Sequence, residues 1–365
     1  MPQRRFRLSG WWLLASISVV QTSAGQQVPV AKAPPVPTRA VRPGDPHLVR
    51  VETITAPAEV ATGFLSPLKC DTDGNLYFRK DHIDAVHKLN PKGEQVALFE
   101  AGASTDKKID GVASFAVTAD GSLYQLVNPH ELDRYVFVYK SDGTFKSSVK
   151  LNPGFVWFPH TLAVFPSGQL LIAGSEYDRD RVAAMWPFTG IFGQDGDLLK
   201  EIKLEDDGTL HSMAASSDAR VSLPQYPQVN RAVDLSQIEM AADGNAYLMR
   251  WTNPAIIYAI SPGGEVVRRL KIDPGDSGYQ PSKMHVFQSR IAVLFSNPHT
   301  FDKIIKIVDL EGHGLATYRE DKANGKPQGD MLGNAFACYT ENPTRFVFLG
   351  TNDDYRLQLW IAEPR

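Results

Sequence analysis

The sequence predicts an all-β fold, and three observations support this prediction. Short apolar runs are bounded by Asp-Gly turn pairs, as in "TDGNLYF", "ADGSLYQL" and "ADGNAYL". These turns return with a period of roughly 45 residues, which is typical of one supersecondary unit per repeat. A second turn, such as Asp142-Gly143 or Gly263-Gly264, follows several of the first ones. Each repeat therefore holds two hairpins, and a ring of such four-stranded antiparallel units is a β-propeller.

The second repeat shows the four predicted strands in order. They are "SFAVTADG", "SLYQLVN", "RYVFVYKSDG" and "TFKSSVKL". Runs such as "YVFVY" and "AIIYAI" are continuously apolar rather than alternating, which indicates strands covered on both faces. A β-sandwich is the alternative, but it needs neither a fixed period nor paired turns.

Six first turns predict a six-bladed β-propeller. The turns stand at Asp73, Asp120, Ser167, Asp243, Gln288 and Asn342, with an insertion at about 205–234. The last repeat supplies three strands before Arg365 and is therefore one strand short. The segment "HLVRVETI", residues 47–54, precedes the first repeat and has the pattern of a lone strand. We predict that it pairs as the outermost strand of the last blade, closing the ring and covering a bare sheet edge.

These motifs resemble the six-bladed propeller superfamily that includes NHL-repeat and TolB-like proteins. The resemblance covers about residues 51–364 and depends on "TADGSLYQL", "AADGNAYLMR" and the paired turns. Its members include binding platforms, lactonases, lyases and quinone-dependent dehydrogenases, so the resemblance implies a fold and no single chemistry. The acidic metal-ligand pattern of the lactonase relatives is not recognisable, because the corresponding positions here are Ser, His, Gln and Lys.

The first residues predict export. A basic leader "MPQRRFR", an apolar core and small residues up to Ala24 form a secretory signal peptide over residues 1–24. The apolar run is too short for a membrane-spanning helix. Residues 25–46 form a Pro-rich linker, and the folded domain covers 47–365. We expect a secreted or periplasmic protein that does not span the membrane.

Composition narrows the partners and cofactors. A net charge of -3 gives no indication of the basic surface that binding of nucleic acid requires. We also expect a monomer that holds neither a cofactor nor a metal. The two cysteines, Cys70 and Cys338, are too few for a disulfide scaffold or a Cys-based zinc site. Both lie on first strands of blades that ring closure makes neighbours. We expect two buried free thiols, and the alternative is a bond that locks the closure.

The first strands converge on the central axis, where polar side chains form a predicted ring. Counting back from the turns gives Ser66, Ser114, His160, Gln237, Lys283 or His285, and Asn334. His160, Lys283 and His285 are the candidate catalytic residues, because such a ring could hold a metal or place a general base. The alternative is the ordinary polar lining of a water-filled tunnel.

Connections between second and third strands form a polar loop face that offers a second candidate site. Its candidate ligand-binding residues are His82, His130, Trp251, Asn253, His299 and Asp353. "NPH" occurs twice, but Asn-Pro can simply set a turn that His follows. The insertion could cover the channel mouth on this face. We therefore predict a recognition platform for a peptide, protein or glycan; the alternative is a hydrolase or lyase at the channel mouth.

Overall fold

The computed structural model describes most of the chain after the linker. The described residues are 46–57, 65–80, 85–104, 109–129, 133–177, 185–210, 232–300, 302–320, 322–323, 326–327, 335–354 and 356–365. The predicted signal peptide lies outside them, as do the linker apart from Pro46 and the greater part of the insertion. Within these ranges, no helix has the length and hydropathy needed to cross a membrane.

Strands account for nearly all regular structure in the described residues. They are β1 (His47–Thr55), β2 (Leu65–Cys70), β3 (Leu76–Lys80), β4 (Ala85–Leu89), β5 (Gln95–Glu100), β6 (Ile109–Val117), β7 (Leu123–Pro129), β8 (Arg134–Tyr139), β9 (Phe145–Leu151), β10 (Trp157–Val164), β11 (Leu170–Tyr177), β12 (Met185–Phe192), β13 (Leu198–Glu201), β14 (Gln237–Met240), β15 (Ala246–Arg250), β16 (Ala255–Ile260), β17 (Val266–Ile272), β18 (Gln280–Phe287), β19 (Arg290–Ser296), β20 (Lys303–Asp309), β21 (Gly314–Glu320), β22 (Lys322–Ala323), β23 (Lys326–Pro327), β24 (Ala335–Glu341), β25 (Thr344–Thr351) and β26 (Leu357–Pro364). A 3-10 turn covers Gly102–Ser104.

Four sheets are antiparallel meanders of four consecutive strands. They consist of β2 to β5, β6 to β9, β10 to β13 and β14 to β17. An eight-stranded sheet has the order β18-β19-β20-β21-β1-β26-β25-β24, and β22 pairs with β23 alone. The four-stranded antiparallel unit of the sequence prediction is therefore confirmed.

The first strands of the repeats form a closed circuit. β2 contacts β6, β6 contacts β10, β10 contacts β14, β14 contacts β18, β18 contacts β24, and β24 contacts β2. Sheets whose innermost strands meet around one axis are the blades of a β-propeller. The continuously apolar runs have the predicted burial, since every residue of β15 and β16 is buried. Outer strands face solvent, and β9 is exposed along most of its length.

The apolar core lies between neighbouring sheets. One cluster joins Ile191 of the third meander to Ile238, Leu248 and Tyr258 of the fourth. Another cluster joins Phe78 and Leu89 to Leu349 and Leu359, where the last strands meet the first meander. Each sheet buries both of its faces against neighbouring sheets. Its strands therefore need apolar side chains on both faces, and not an alternation of apolar and polar residues.

Glycine turns allow adjacent sheets to approach closely. Gly143, between β8 and β9, has a φ of 92°, and a Cβ there would lie 2.5 Å from the carbonyl oxygen of Leu98 on the preceding outer strand. Gly93, between β4 and β5, has the same role: its Cβ would lie 2.9 Å from Ile54 on β1. β1 therefore occupies the place of an outer strand next to the first meander.

The predicted pairing of residues 47–54 with the last repeat is confirmed. β1 runs antiparallel to β26, in a register from Leu48 opposite Pro364 to Thr55 opposite Gln358. The sequence did not predict the second partner of β1. His47 and Leu48 also pair in parallel with the end of β21, which joins two sets of strands into the eight-stranded sheet.

Candidate axial site

The structure places the predicted ring residues on first strands. Ser114 is buried on β6, His160 lies on β10, Gln237 on β14, and Lys283 and His285 on β18. The backbone of Ser66 is in β2, but its side chain and the whole of Asn334 lie outside the described residues. The described members therefore lie on innermost strands, and they differ in what they contact.

An axial cavity of about 80 Å³ opens among these strands. It is lined by residues of β2, β6, β10, β14 and β18, namely Lys69, Cys70, Ala116, Val117, Ala163, Ile238, Glu239, Met240, His285 and Val286. Of the three candidate catalytic residues, only His285 is part of this lining. A volume of this size holds about two or three water molecules, so only a small group fits inside.

His285 and Glu239 form a buried pair in the wall of the cavity. Nδ1 of His285 lies 3.0 Å from Oε2 of Glu239, and the two side chains are 4% and 9% exposed. The same oxygen accepts a hydrogen bond of 2.6 Å from the backbone N–H of Val286. Burial opposes ionisation of Glu239, but His285, Lys69 and Lys283 outweigh it and hold its pKa at about 2. The carboxylate therefore stays charged beside the imidazole.

Two lysines bridge strands around this pair. Nζ of Lys69 on β2 donates to the carbonyl of Ile238 on β14 at 2.9 Å. Nζ of Lys283 on β18 donates to the carbonyl of Leu68 on β2 at 2.8 Å. Burial lowers the pKa of both ammonium groups, that of Lys283 to about 8, although Glu239 acts in the opposite direction. The site thus combines two cations, one carboxylate and one imidazole.

The cysteines form a disulfide, so the expectation of two free thiols is wrong. Cys70 on β2 is bonded to Cys338 on β24, with their Cα atoms 5.8 Å apart. The first strands of adjacent sheets approach at the axis to within the range that a disulfide requires. Sγ of Cys70 also lies 3.6 Å from Nε2 of His285. The bond closes the circuit of first strands beside the cavity.

His160 and Gln237 lie on the ring but contact other partners. Nε2 of His160 is 2.9 Å from Oδ1 of Asp234, and these side chains are 25% and 26% exposed. The amide of Gln237 accepts from the backbone N–H of Met284 at 2.8 Å and donates to the carbonyl of Ser282 at 3.2 Å. Gln237 therefore joins β14 to β18, as the ordinary polar lining of a tunnel does.

The loop-face candidates lie in separate connections. Trp251 and Asn253 are between β15 and β16, His299 is between β19 and β20, and Asp353 is between β25 and β26. His82 and His130 lie outside the described residues. Nδ2 of Asn253 donates to the carbonyls of Ser277 at 2.7 Å and Tyr279 at 2.6 Å, which holds a neighbouring loop. Their part in ligand binding stays a prediction.

In the second "NPH" motif, residues 297–299, the Asn side chain sets a turn. Oδ1 of Asn297 accepts hydrogen bonds from the backbone N–H groups of His299 and Thr300, at 2.9 and 3.2 Å. An Asn side chain that bonds the backbone two residues later sets a local turn. The His simply follows this turn.

Sequence reasoning missed Lys69, Glu239 and the role of Cys70 beside His285. A signal for two of them was present. Lys69 and Glu239 stand at the same place relative to the first turns of their repeats, where other repeats have Ala116, Ala163 or Cys338. A charged residue in the middle of an innermost strand is unusual, because burial of an unpaired charge is costly. Two opposite charges at equivalent positions indicate a pair across the axis.

A second missed cluster lies at the start of the insertion. Arg250 is fully buried, and its Nη2 donates to Oδ1 of Asp207 at 2.8 Å. Burial raises the pKa of Asp207 to about 6, although Arg250 opposes the shift. The hydroxyl of Tyr258 donates to Asp206 at 2.8 Å. These contacts fix the first residues of the insertion against β15 and β16.

Comparison with known proteins gives no family. No protein-family model matches the sequence, and no curated protein matches it. Solved structures with similar folds include a luciferin-regenerating enzyme, at 11% identity and a TM-score of 0.49, covering 87% of this chain and 95% of that chain. The calcium-binding protein regucalcin from Agrobacterium tumefaciens has 11% identity and a TM-score of 0.45, covering 84% and 93%.

Virginiamycin B lyase from Staphylococcus aureus has 12% identity and a TM-score of 0.44, covering 87% of this chain and 99% of that chain. Similarity at this level carries no inference about ligand or reaction. Function must be argued from the residues of the axial site.

Proposed function

We propose that the protein is an exported propeller of six blades. The eight-stranded sheet then counts as two blades, β18 to β21 and β24 to β26 with β1, which touch through the short parallel pairing of β1. The circuit of first strands supports this count, as does the packing of Gly93 on β1. Export is supported by the leader over residues 1–24.

The function that the geometry supports best is proton-transfer catalysis in the axial cavity, in a hydrolase or lyase. One observation carries this proposal: Nδ1 of His285 lies 3.0 Å from the Glu239 carboxylate in the wall of the cavity. A carboxylate this close to one ring nitrogen favours a proton on that nitrogen, which leaves the other nitrogen with a lone pair. His285 is the general base or acid, and Glu239 is its positioning residue.

Lys69 and Lys283 would supply electrostatic stabilisation. Their ammonium groups are fixed by backbone carbonyls of Ile238 and Leu68. Fixed cations in a water-poor site stabilise negative charge that develops on a substrate oxygen. The small cavity and its excess of cations favour a substrate that inserts a compact acidic or carbonyl group, with the remainder of the molecule outside.

The proposal is tested with two sets of probes. Nitrophenyl esters and lactones report hydrolysis, and polysaccharides that contain uronic acids report elimination through the absorbance of the unsaturated product. For any probe that is turned over, we expect His285→Ala to lower kcat/KM by about 100-fold or more. His160→Ala is the matched control, since His160 lies outside the cavity lining, and it should retain the wild-type value.

Turnover that survives in His285→Ala contradicts the proposal. Absence of turnover across both probe sets, together with binding of a peptide or glycan that is lost on Trp251→Ala, identifies the loop face as a recognition platform instead.

A further inference from the structure

The axial disulfide places its two sulfur atoms in different surroundings. Cys70 is half-buried and lines the cavity, whereas Cys338 is buried in the apolar cluster between the last and first sheets. A small reactant that enters the cavity therefore meets Sγ of Cys70. Cys338 is shielded from it by Leu68, Leu349 and the other members of that cluster.

His285 faces the exposed sulfur. Its Nε2 lies 3.6 Å from Sγ of Cys70, and its Nδ1 lies 3.0 Å from Oε2 of Glu239. When the Nδ1 proton is directed at Glu239, Nε2 presents its lone pair toward Cys70. A thiol at this place can give its proton to the imidazole, leaving a thiolate beside an imidazolium. The nucleophile Cys70, the base His285 and the positioning carboxylate of Glu239 thus lie next to one another on three different strands.

The remaining charges around Cys70 favour a thiolate. Among the described residues, the titratable or charged groups in the cavity lining are Lys69 on β2, Glu239 on β14 and His285 on β18, and Lys283 of β18 acts on Glu239 from beside the lining. The described residues that the other elements contribute are uncharged, namely Ala116 and Val117 of β6, Ala163 of β10, and Phe336 of β24, whose ring centre lies 6.2 Å from that of His285. Two cations against one carboxylate, with an imidazole that can accept a proton, stabilise negative charge on sulfur.

We propose that Cys70 is a redox-gated nucleophile: its disulfide with Cys338 is the protected form, and reduction by a small thiol releases a Cys70 thiolate paired with His285. In the first step the incoming thiolate attacks Sγ of Cys70, the bond to Cys338 breaks, and its electron pair leaves on Sγ of Cys338, which takes up a proton. A second thiolate then attacks the sulfur of the first reactant, which releases Cys70 as a thiolate. Two thiols are oxidised to one small disulfide, and the protein disulfide is reduced by two electrons.

The proposal is tested on the full chain by site-resolved alkylation. The protein is reduced with dithiothreitol and then treated with iodoacetamide between pH 5.5 and 9.5, and the modification of each cysteine is followed by mass spectrometry. We expect Cys70 to react with a midpoint below that of an ordinary thiol, about 8.5. At pH 6.5 it should react roughly tenfold faster in the wild type than in His285→Ala. His313→Ala, at the exposed turn between β20 and β21, should match the wild type.

Two results overturn the proposal. One is a Cys70 profile that His285→Ala leaves unchanged, and the other is the presence of two free thiols in the oxidised protein before any reductant is added. Circular dichroism shows whether reduction disturbs the fold. If it does, Cys338→Ala leaves Cys70 as a free thiol without reductant. The alkylation rate of Cys70 is then compared between Cys338→Ala and the double variant Cys338→Ala, His285→Ala. Because alkylation needs no substrate, this outcome is independent of the turnover that tests the proposed function.

Discussion

Two histidine–carboxylate pairs on the inner part of the propeller have nearly the same nitrogen–oxygen distance and different surroundings. The nitrogen–oxygen distance is 3.0 Å between His285 and Glu239 and 2.9 Å between His160 and Asp234. The side chains of the first pair are 4% and 9% exposed, and those of the second are 25% and 26% exposed. Charges that water reaches are screened, whereas buried charges interact strongly with every neighbour. The degree of burial therefore separates the candidate catalytic pair from a partly exposed contact of similar length.

The largest expected effect is on stability when the buried carboxylate is removed. Glu239→Ala leaves His285, Lys69 and Lys283 facing each other without their counter-charge, and we expect a loss of about 3–5 kcal/mol in the free energy of unfolding. Urea denaturation at neutral pH measures it. Glu239→Gln keeps an acceptor for the Val286 N–H and should lose less; equal losses for the two variants would show that shape, and not charge, is the cause.

The second effect is the acid dependence of the same pair. The pKa of Glu239 is about 2 in the folded protein, below its ordinary value of 4.5. The unfolded chain therefore binds the proton first as pH falls, and the stabilisation by Glu239 is complete above pH 4.5 and lost between 4.5 and about 2. We expect the stability difference between wild type and Glu239→Gln to shrink over this window by about 3 kcal/mol. A difference that stays constant with pH would contradict the strength assigned to the buried pair.

A third prediction concerns the lysine beside the buried pair. Burial lowers the pKa of Lys283 from 10.5 to about 8, so the unfolded chain binds more protons than the folded protein between these values. Stability relative to Lys283→Met should therefore rise as pH increases from 8 to 10.5. Differential scanning calorimetry at both ends of this range measures the change. If the stability of the wild type relative to Lys283→Met fell between pH 8 and 10.5, the pKa of Lys283 would be raised in the folded protein and not lowered.

The smallest effect is expected at the partly exposed pair, His160 and Asp234. Asp234→Asn should change the free energy of unfolding by no more than about 1 kcal/mol, because solvent screens an ion pair of this exposure. The measurement is the same urea titration, and its comparison with Glu239→Gln tests the contrast directly. If Asp234→Asn lowered the free energy of unfolding as much as Glu239→Gln does, burial would not be the property that distinguishes the two pairs.

Several features of the fold could be predicted because they depend on neighbours in the sequence. Asp-Gly turns such as Asp142-Gly143 are specified within a few residues, since positive φ at Gly143 is needed for the hairpin and for the approach of Leu98. The pairing of β1 with β26 followed from a repeat that was one strand short. The parallel pairing of β1 with β21 could not be predicted, because it involves the ends of two strands that no repeat pattern relates.

The sequence by itself determined the repeat, its strands and which strand of each repeat is innermost, because turn chemistry and apolar runs act locally. It placed Lys283 and His285 on that ring but did not distinguish them from His160 or Gln237. Tertiary structure alone decided that Glu239 lies beside His285, that Cys70 bonds Cys338, and that Lys69 crosses to Ile238. Such contacts join strands far apart in the chain, and they depend on how closely the closed ring brings its innermost strands together.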